Sequence, residues 1–229
     1  MTTIRHATPA DIEGIATVLQ DALGETIDLA FGEHLIAGKR HPVWVAEGSD
    51  GSIQGLTSTF MTVVQTAVRR WEIDLLAVHS SARKQGLGEK LLRATSQDSR
   101  RHRVNLSRGL VRVSNTAAQR AFRAADYYTT GLIYHLHWWT AQDFGLELPD
   151  DKTVSVIPVD TLTYRGIWLE GLDSPTIAPE LQLTYLQAAR TLAAREGRVM
   201  VSSLIAKALP GGVSTDHQIE GQFQWWRRP

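Results

Sequence analysis

The densest chemistry in this 229-residue chain sits in six residues, Arg83-Lys84-Gln85-Gly86-Leu87-Gly88. They follow the apolar run Leu75-Leu76-Ala77-Val78 and lead into Leu87, Leu91 and Leu92, which fall at helical spacing. The segment therefore reads as strand, loop and helix start. Glycines at 86 and 88 let the backbone turn tightly and come close to a ligand. The first turn of a helix presents unpaired N–H groups and a partial positive charge, and phosphate is the usual occupant of such a site. Arg83 and Lys84 add two side-chain cations. No Gly-Lys-Ser/Thr follows, which excludes the NTPase phosphate loop, and the spacing is not that of the dinucleotide fingerprint. Taken alone, such a turn also serves as plain structure.

Upstream on the same strand stand Glu72 and Asp74, two residues apart and so on one strand face. Paired carboxylates can raise one pKa or hold a cation by charge. The competing reading is that they face solvent or pair with Arg69 or Arg70. His135 and His137 also share a face, without the third ligand that a protein zinc site needs. His79 reads as a loop histidine, and Ser80-Ser81 lacks a nucleophile elbow. There is no cysteine, which removes thiolate catalysis, disulfides and cysteine-ligated zinc.

The elements that must position these residues follow from pattern. Ile4 to Ala7 reads as a strand, and Thr8, Pro9 and Asp11 start a helix that carries Ile12, Ile15, Ala16, Leu19 and Leu23 on one face and stops at Gly24. Residues 25–40 suggest one or two short helices broken at Gly32 and Gly38. Val43 to Glu47, Ile53 to Val64 and Arg69 to Val78 form a meander with a turn at Gly48 to Gly51. Leu110 to Val113 is a strand, Ser114-Asn115-Thr116 caps a helix through Ala125, and Tyr127 to Trp139 returns as one long strand. Residues 141–152 are polar and read as a linker. Beyond them, Leu162 to Leu169, Pro179 to Glu196 and Val199 to Ile205 read as strand, helix and strand, with Gly197 ending the helix and a turn at Pro210-Gly211-Gly212. One tryptophan of each pair, Trp138-Trp139 and Trp225-Trp226, is expected to be buried.

On three of these segments the chain resembles the GNAT acetyltransferase superfamily. Arg83-x-x-Gly86-x-Gly88 looks like its acyl-CoA pyrophosphate loop, and the opening strand with Thr8-Pro9-x-Asp11 resembles its usual start. Asn115 and Ala118 match a helix that in the family reads Asn-x-x-Ala-x-x-x-Tyr-x-x-x-Gly-Phe. Here Phe122 replaces the tyrosine, Asp126 the glycine and Tyr127 the phenylalanine. The resemblance covers roughly the first 140 residues. It implies an α/β fold, a mixed, mostly antiparallel sheet flanked by helices, with acetyl-CoA as cosubstrate. Residues Arg83, Lys84, Gln85, Gly86, Leu87 and Gly88 would hold the pyrophosphate. Leu76, Ala77 and Val78 would pair their backbone with the pantetheine arm, and Asn115 and Phe122 would also meet the cofactor. Arg100-Arg101-His102-Arg103 would contact the 3′-phosphate or simply end a solvated helix.

The same resemblance implies direct transfer of acetyl to a primary amine. Glu72-Ile73-x-x-x-Ala77-Val78 is similar to the strand of the histone acetyltransferase branch, which makes Glu72 the base, with Asp74 sharing the work. The family tyrosine protonates the departing thiolate. Phe122 has no proton to give, so that role passes to Tyr127, Tyr128 or a water. Phe122 also favours the alternative of a non-catalytic acyl-CoA-binding or regulatory module. Asp28, Glu33 and His34 are either acceptor contacts or a solvated helix face.

Composition bounds the rest. The chain holds a GNAT-like domain over 1–140, the linker 141–152, and a smaller α/β region over 153–229, possible as a degenerate second half without a second CoA loop. Hydrophobic content of 43%, charged content of 21% and a formal net charge of zero are ordinary for a soluble protein and point to no nucleic-acid or membrane partner. No run approaches the ~20 apolar residues of a membrane span, and no signal peptide is visible, so a cytoplasmic location is expected. The expected acceptor is a small-molecule amine, with a protein amine second. A core as small as that of 153–229 should pack on the first domain or in a homodimer.

Overall fold

The computed structural model describes residues 2–38, 41–63, 68–206 and 217–229. Within them lie eleven strands in one sheet: β1 (Thr3–His6), β2 (Val43–Glu47), β3 (Ile53–Val63), β4 (Arg69–Val78), β5 (Leu106–Arg112), β6 (Tyr128–Thr129), β7 (Tyr134–Thr140), β8 (Ser155–Asp160), β9 (Arg165–Glu170), β10 (Met200–Ile205) and β11 (His217–Arg228). The helices are α1 (Ile12–Leu23), α2 (Leu29–Ala37), α3 (Leu87–Arg101), α4 (Thr116–Ala124) and α5 (Pro179–Arg195). The strand order is β1-β2-β3-β4-β5-β11-β7-β10-β9-β8, with the short β6 also paired to β11. Pairing is antiparallel except at β4–β5 and β9–β10. Each parallel pair is joined through a helix, α3 or α5, as a parallel connection requires. The fold class is the mixed, mostly antiparallel α/β sheet that the sequence led us to expect.

Local chemistry explains the element ends. The Asp11 carboxylate accepts the Thr8 backbone N–H at 2.7 Å, and Pro9 opens a short 3-10 turn that runs into α1. The helix stops at Gly24, whose φ of 73° suits a residue without a side chain. Ile12, Ile15, Val18 and Leu19 turn inward and pack on Val43, Val45, Leu56 and Ala77. On the opposite side of the sheet, α3 and α4 pack Leu92, Phe122 and Ala125 against Trp71, Ile73 and Trp226. The C-terminal region has its own apolar cluster around Trp139, Ile167, Leu169 and Leu186.

Several sequence expectations are corrected. Helix α2 runs straight through Gly32, because a side chain there would meet Ile12 Cδ1 at 2.6 Å, so glycine serves close helix packing rather than a break. The expected strand 127–139 is interrupted between β6 and β7. Strand β8 was not anticipated. Trp139 and Trp226 are the buried members of their pairs. The turn expected at Pro210-Gly211-Gly212, and Val64 at the end of β3, lie outside the described residues. The two sequence regions interleave: β11, from beyond residue 153, lies hydrogen-bonded between β5 and β7.

Candidate active site

The site begins with a register irregularity. Ser58 pairs with Leu75 and Thr59 with Ile73, so Asp74 is an extra residue bulged out of β4. A bulge bends its strand and increases the local twist. Beside it, β4 and β5 are paired only from Arg70–Leu106 to Ile73–Gly109. Past that point β4 continues with β3 and β5 continues with β11, so each strand is held by its outer neighbour while the two inner edges part. The opening carries the β4 edge at Leu76, Ala77 and Val78.

This edge forms one wall of a cleft of about 610 Å³. The Arg83–Gly88 loop and the start of α3 close one end, and the small residues Ala117, Ala118, Ala121 and Ala124 of α4 form the opposite wall. Gly86, with φ of 73°, turns the chain into α3, and a Cβ on Gly88 would stand 3.2 Å from the Ala121 Cβ, so α3 and α4 approach closely at the head of the cleft. Arg83 and Lys84 stand at the loop, and Arg120 of α4 adds a third cation to the lining. Glu89, the acidic residue there, is engaged by Arg93 at 2.9 Å.

Of the expected cofactor residues, Leu76, Ala77, Val78, Arg83, Lys84, Gly86, Leu87, Gly88 and Asn115 line this cleft, and Gln85 and Phe122 do not. Asn115 spends its side-chain oxygen capping α4, accepting the Ala118 N–H at 2.9 Å. Phe122 is buried in the core beneath β5, against Tyr127 and Trp226. Gly109 makes room for it, since a Cβ there would stand 2.6 Å from the ring. Neither expected proton donor lines the cleft. Tyr127 is buried with its hydroxyl 2.7 Å from Ser107 Oγ. Tyr128 is 54% exposed on β6. Arg100 and Arg101 end α3, a helix of 15 residues and so about 22 Å from the loop. Asp28 caps α2 through the Phe31 N–H, and Glu33 and His34 are exposed.

The two carboxylates of β4 have different surroundings. Glu72 is buried with both oxygens occupied: Thr62 Oγ1 donates to one at 2.6 Å, Arg108 Nε to the other at 2.8 Å, and Arg70 Nε lies 3.3 Å away. Glu170 of β9 completes a network of four charges by bidentate bonds to Arg70 at 2.7 Å and to Arg108 at 3.0 and 3.1 Å. Burial by itself would raise the Glu170 carboxyl, but the two guanidinium groups hold it at about 2. The geometry around Glu72 is that of the arginine pair, the competing reading for this residue.

Among the described residues Asp74 pairs with no arginine. Ser58 Oγ donates to Oδ2 at 2.9 Å, and Thr161 lies beside it in the same small pocket. Burial pushes its pKa up to about 6, against the opposing pull of the Ser58 and Thr161 hydroxyls. The expected rise thus has burial as its cause, with no contribution needed from Glu72. Leu35, His41, Val43, Ser58, Thr59, Phe60, Thr161 and Leu162 line a pocket on one side of Asp74 with no room for a water, and Asp74 itself is half-buried. His137 is also perturbed, held neutral with a pKa of about 4 by burial and by the neighbouring His217 and His135. Among the described residues no His, Cys, Asp and Glu cluster suits a metal ion.

A family model, the acetyltransferase (GNAT) family, matches residues 15–127. The GCN5-related glucosamine N-acetyltransferase region of a fungal multi-domain GH3 beta-N-acetylglucosaminidase superposes with a TM-score of 0.64 at 13% identity, over 100% of this chain and 38% of that one. This chain thus spans well under half the length of that protein. A GCN5-related N-acetyltransferase from Sphaerobacter thermophilus superposes at 0.62 and 14% identity, over 99% of this chain and 95% of that one. A putative acetyltransferase from Salmonella typhimurium, solved with acetyl-CoA, reaches 0.51 at 21% identity, over 61% of this chain and 83% of that one. At these identities the likeness is one of fold. No curated protein matches.

Proposed function

We propose that this chain, a member of the GNAT acetyltransferase family over residues 15–127, transfers acetyl from acetyl-CoA directly to a primary amine, that of a small molecule. The observation that carries the reading is the unpaired β4 edge at Leu76–Val78, ending on an anion site built from Arg83, Lys84 and the N-terminus of α3. The loop would hold the pyrophosphate, and Arg120 would meet a further phosphate. The β4 backbone would pair with the pantetheine arm, supplying proximity and one N–H toward the thioester oxygen. Acetyl-CoA supplies the activated acyl group.

The chain's own part is the proton. An aliphatic ammonium has a pKa of roughly 10.4, so the attacking amine needs a base. Asp74 fits this task better than Glu72. It lies at the bulge where β4 leaves β5, and burial lifts it toward the working pH, whereas both Glu72 oxygens are committed to Thr62 and Arg108. The amine nitrogen bonds to the acyl carbon, the C–S bond breaks, and Asp74 takes the nitrogen's proton. The thiolate takes its proton from water, since a thiol with a pKa of about 8.5 leaves readily near neutrality.

The deciding experiment is the thermal midpoint with and without acetyl-CoA, followed by an amine panel. A ligand at ~100 times its Kd adds roughly 2.7 kcal/mol, or about 5–11 °C at this size. Gly86→Glu should abolish the shift, because it places a carboxylate at the anion site on a residue with φ of 73°. Turnover by the wild type should fall below about pH 6, the Asp74 value, and Asp74→Asn should lower kcat by 10²-fold or more. No midpoint shift would sink the reading. A shift with no turnover on any amine would leave an acyl-CoA-binding module.

A further inference from the structure

The last turn of α1 holds a residue that its own helix disfavours. Asp21 lies two positions from the end of α1, where the helix dipole favours a cation. Its carboxylate finds partners outside the helix, on the first residue of the turn that leads from β4 into the Arg83–Gly88 loop. The Ser80 N–H donates to Oδ2 at 2.6 Å and the Ser80 hydroxyl to Oδ1 at 2.8 Å, so one residue engages both oxygens across 59 positions. Those two bonds hold the carboxyl below its usual range. His79 and Ser81 stand beside it. The Asp21 carboxylate is 3.9 Å from the imidazole, beyond hydrogen-bond reach, and His79 Nδ1 accepts the Ser81 N–H at 3.3 Å. The three side chains therefore cap a turn and do not form a hydrolytic triad.

Ser80 transmits that hold to the loop. It opens a single 3-10 turn, Ser80–Ala82, whose Ala82 is buried in one cluster with Leu87 and Leu91. The Ser80 carbonyl accepts the Arg83 N–H at 3.5 Å, and Arg83 Nε returns to the Val78 carbonyl at 3.3 Å. Next comes Lys84 with φ of 64°, a left-handed conformation that a residue with a side chain keeps only where its surroundings impose it. On the α1 side, the neighbours of Asp21 are Ala22 and Leu23, and both line the cleft. We infer that Asp21 is a positioning residue for acetyl-CoA: by binding Ser80 at both oxygens it fixes the anion loop and the end of α1 relative to each other. The inference rests on the reading of this cleft as the acetyl-CoA site, and not on turnover. A plain charge effect has the opposite sign, because an acid near an anion site repels phosphate and its removal would tighten binding.

Calorimetric titration of the full-length protein with acetyl-CoA tests this, at a temperature where thermal scans show each variant folded. Asp21→Ala should weaken binding by about tenfold, the effect of losing a hydrogen bond to a charged group. Asp21→Asn, with one acceptor oxygen in place of two, should fall between it and the wild type. Ser80→Ala should also lose affinity, and Ser80→Thr, which keeps the hydroxyl, should restore it. Asp21→Ala combined with Ser80→Ala should bind no worse than Asp21→Ala alone, since both remove one contact. An unchanged Kd in folded Asp21→Ala, whatever its thermal midpoint, would reduce the contact to one that stabilises the fold and would overturn the inference. Tighter binding would overturn it in favour of charge repulsion. A wild type that binds no acetyl-CoA would refute the reading of the cleft and the inference with it, whereas a binding wild type with unaffected variants would sink the inference alone.

Discussion

At the scale of single residues, two carboxylates two positions apart on β4 behave differently because their partners differ. Glu72 is locked into a network with Arg70, Arg108 and Glu170, while Asp74 has Ser58 as its hydrogen-bond partner and burial lifts its pKa. The network makes Glu170 the hinge of a stability prediction. Removing it leaves two buried guanidinium groups with one carboxylate. The 3–5 kcal/mol typical of such a loss, discounted because Glu170 is partly exposed, becomes about 2–3 kcal/mol, or roughly 5–10 °C in midpoint for Glu170→Ala. The sign with pH follows from a carboxyl held at about 2 against an ordinary 4.5. Its contribution is present above pH 4.5 and fades as pH falls toward 2. Midpoints of wild type and variant, recorded from pH 7 to pH 2, should therefore converge at the acid end; a constant gap would mean that packing, not charge, is what Glu170 contributes.

At the scale of elements, the cleft exists because β4 and β5 are pulled apart by their outer partners and because α4 is tucked close beneath them. Phe122 anchors α4 under β5 by using the space that Gly109 leaves open. A methyl group at 109 would meet that ring at 2.6 Å and the Ile73 Cβ at 3.1 Å. Gly109→Ala should thus cost about 1–3 kcal/mol from overpacking. Pairing it with Phe122→Leu should recover part of that cost, because two residues in contact are not additive. Denaturant midpoints of the two single variants and the double variant measure the coupling, and strict additivity would show that Gly109 and Phe122 do not press on each other. This also gives the departure from the family tyrosine a physical meaning: the position is a packing anchor here, with no hydroxyl at the cleft.

At the scale of the whole molecule, β11 ties the chain into one sheet. It supplies the strand between β5 and β7, so the cleft wall on the β5 side is held by residues more than a hundred positions away. A chain cut after residue 140 would lose β10 and β11, leaving one edge of β5 and both edges of β7 unpaired, a known route to aggregation. The fragment 1–140 should be insoluble or give a collapsed amide spectrum, with no midpoint shift from acetyl-CoA. A soluble fragment with dispersed amides and a normal shift would show that β11 is dispensable.

What the sequence determined by itself is local. The strand–loop–helix of residues 75–92, the capped start of α1, the Asn115 cap and the anion character of Arg83–Gly88 are all set by residues within a few positions of one another, where glycine, proline and side-chain oxygens act directly on the backbone. The mixed, mostly antiparallel fold and most of the positions that line the cleft followed from those segments. Tertiary structure decided the rest. Which carboxylate pairs with arginine depends on Arg108 and Glu170, which strands β5 and β9 bring to Glu72 and Arg70. A bulge at Asp74 leaves no mark in residue types, because it is a relation between two strands rather than a property of one. Thr161 and Asp74 line one pocket only because the β8–β9 turn folds back over the first half of the chain, a proximity across 87 positions that no local pattern encodes.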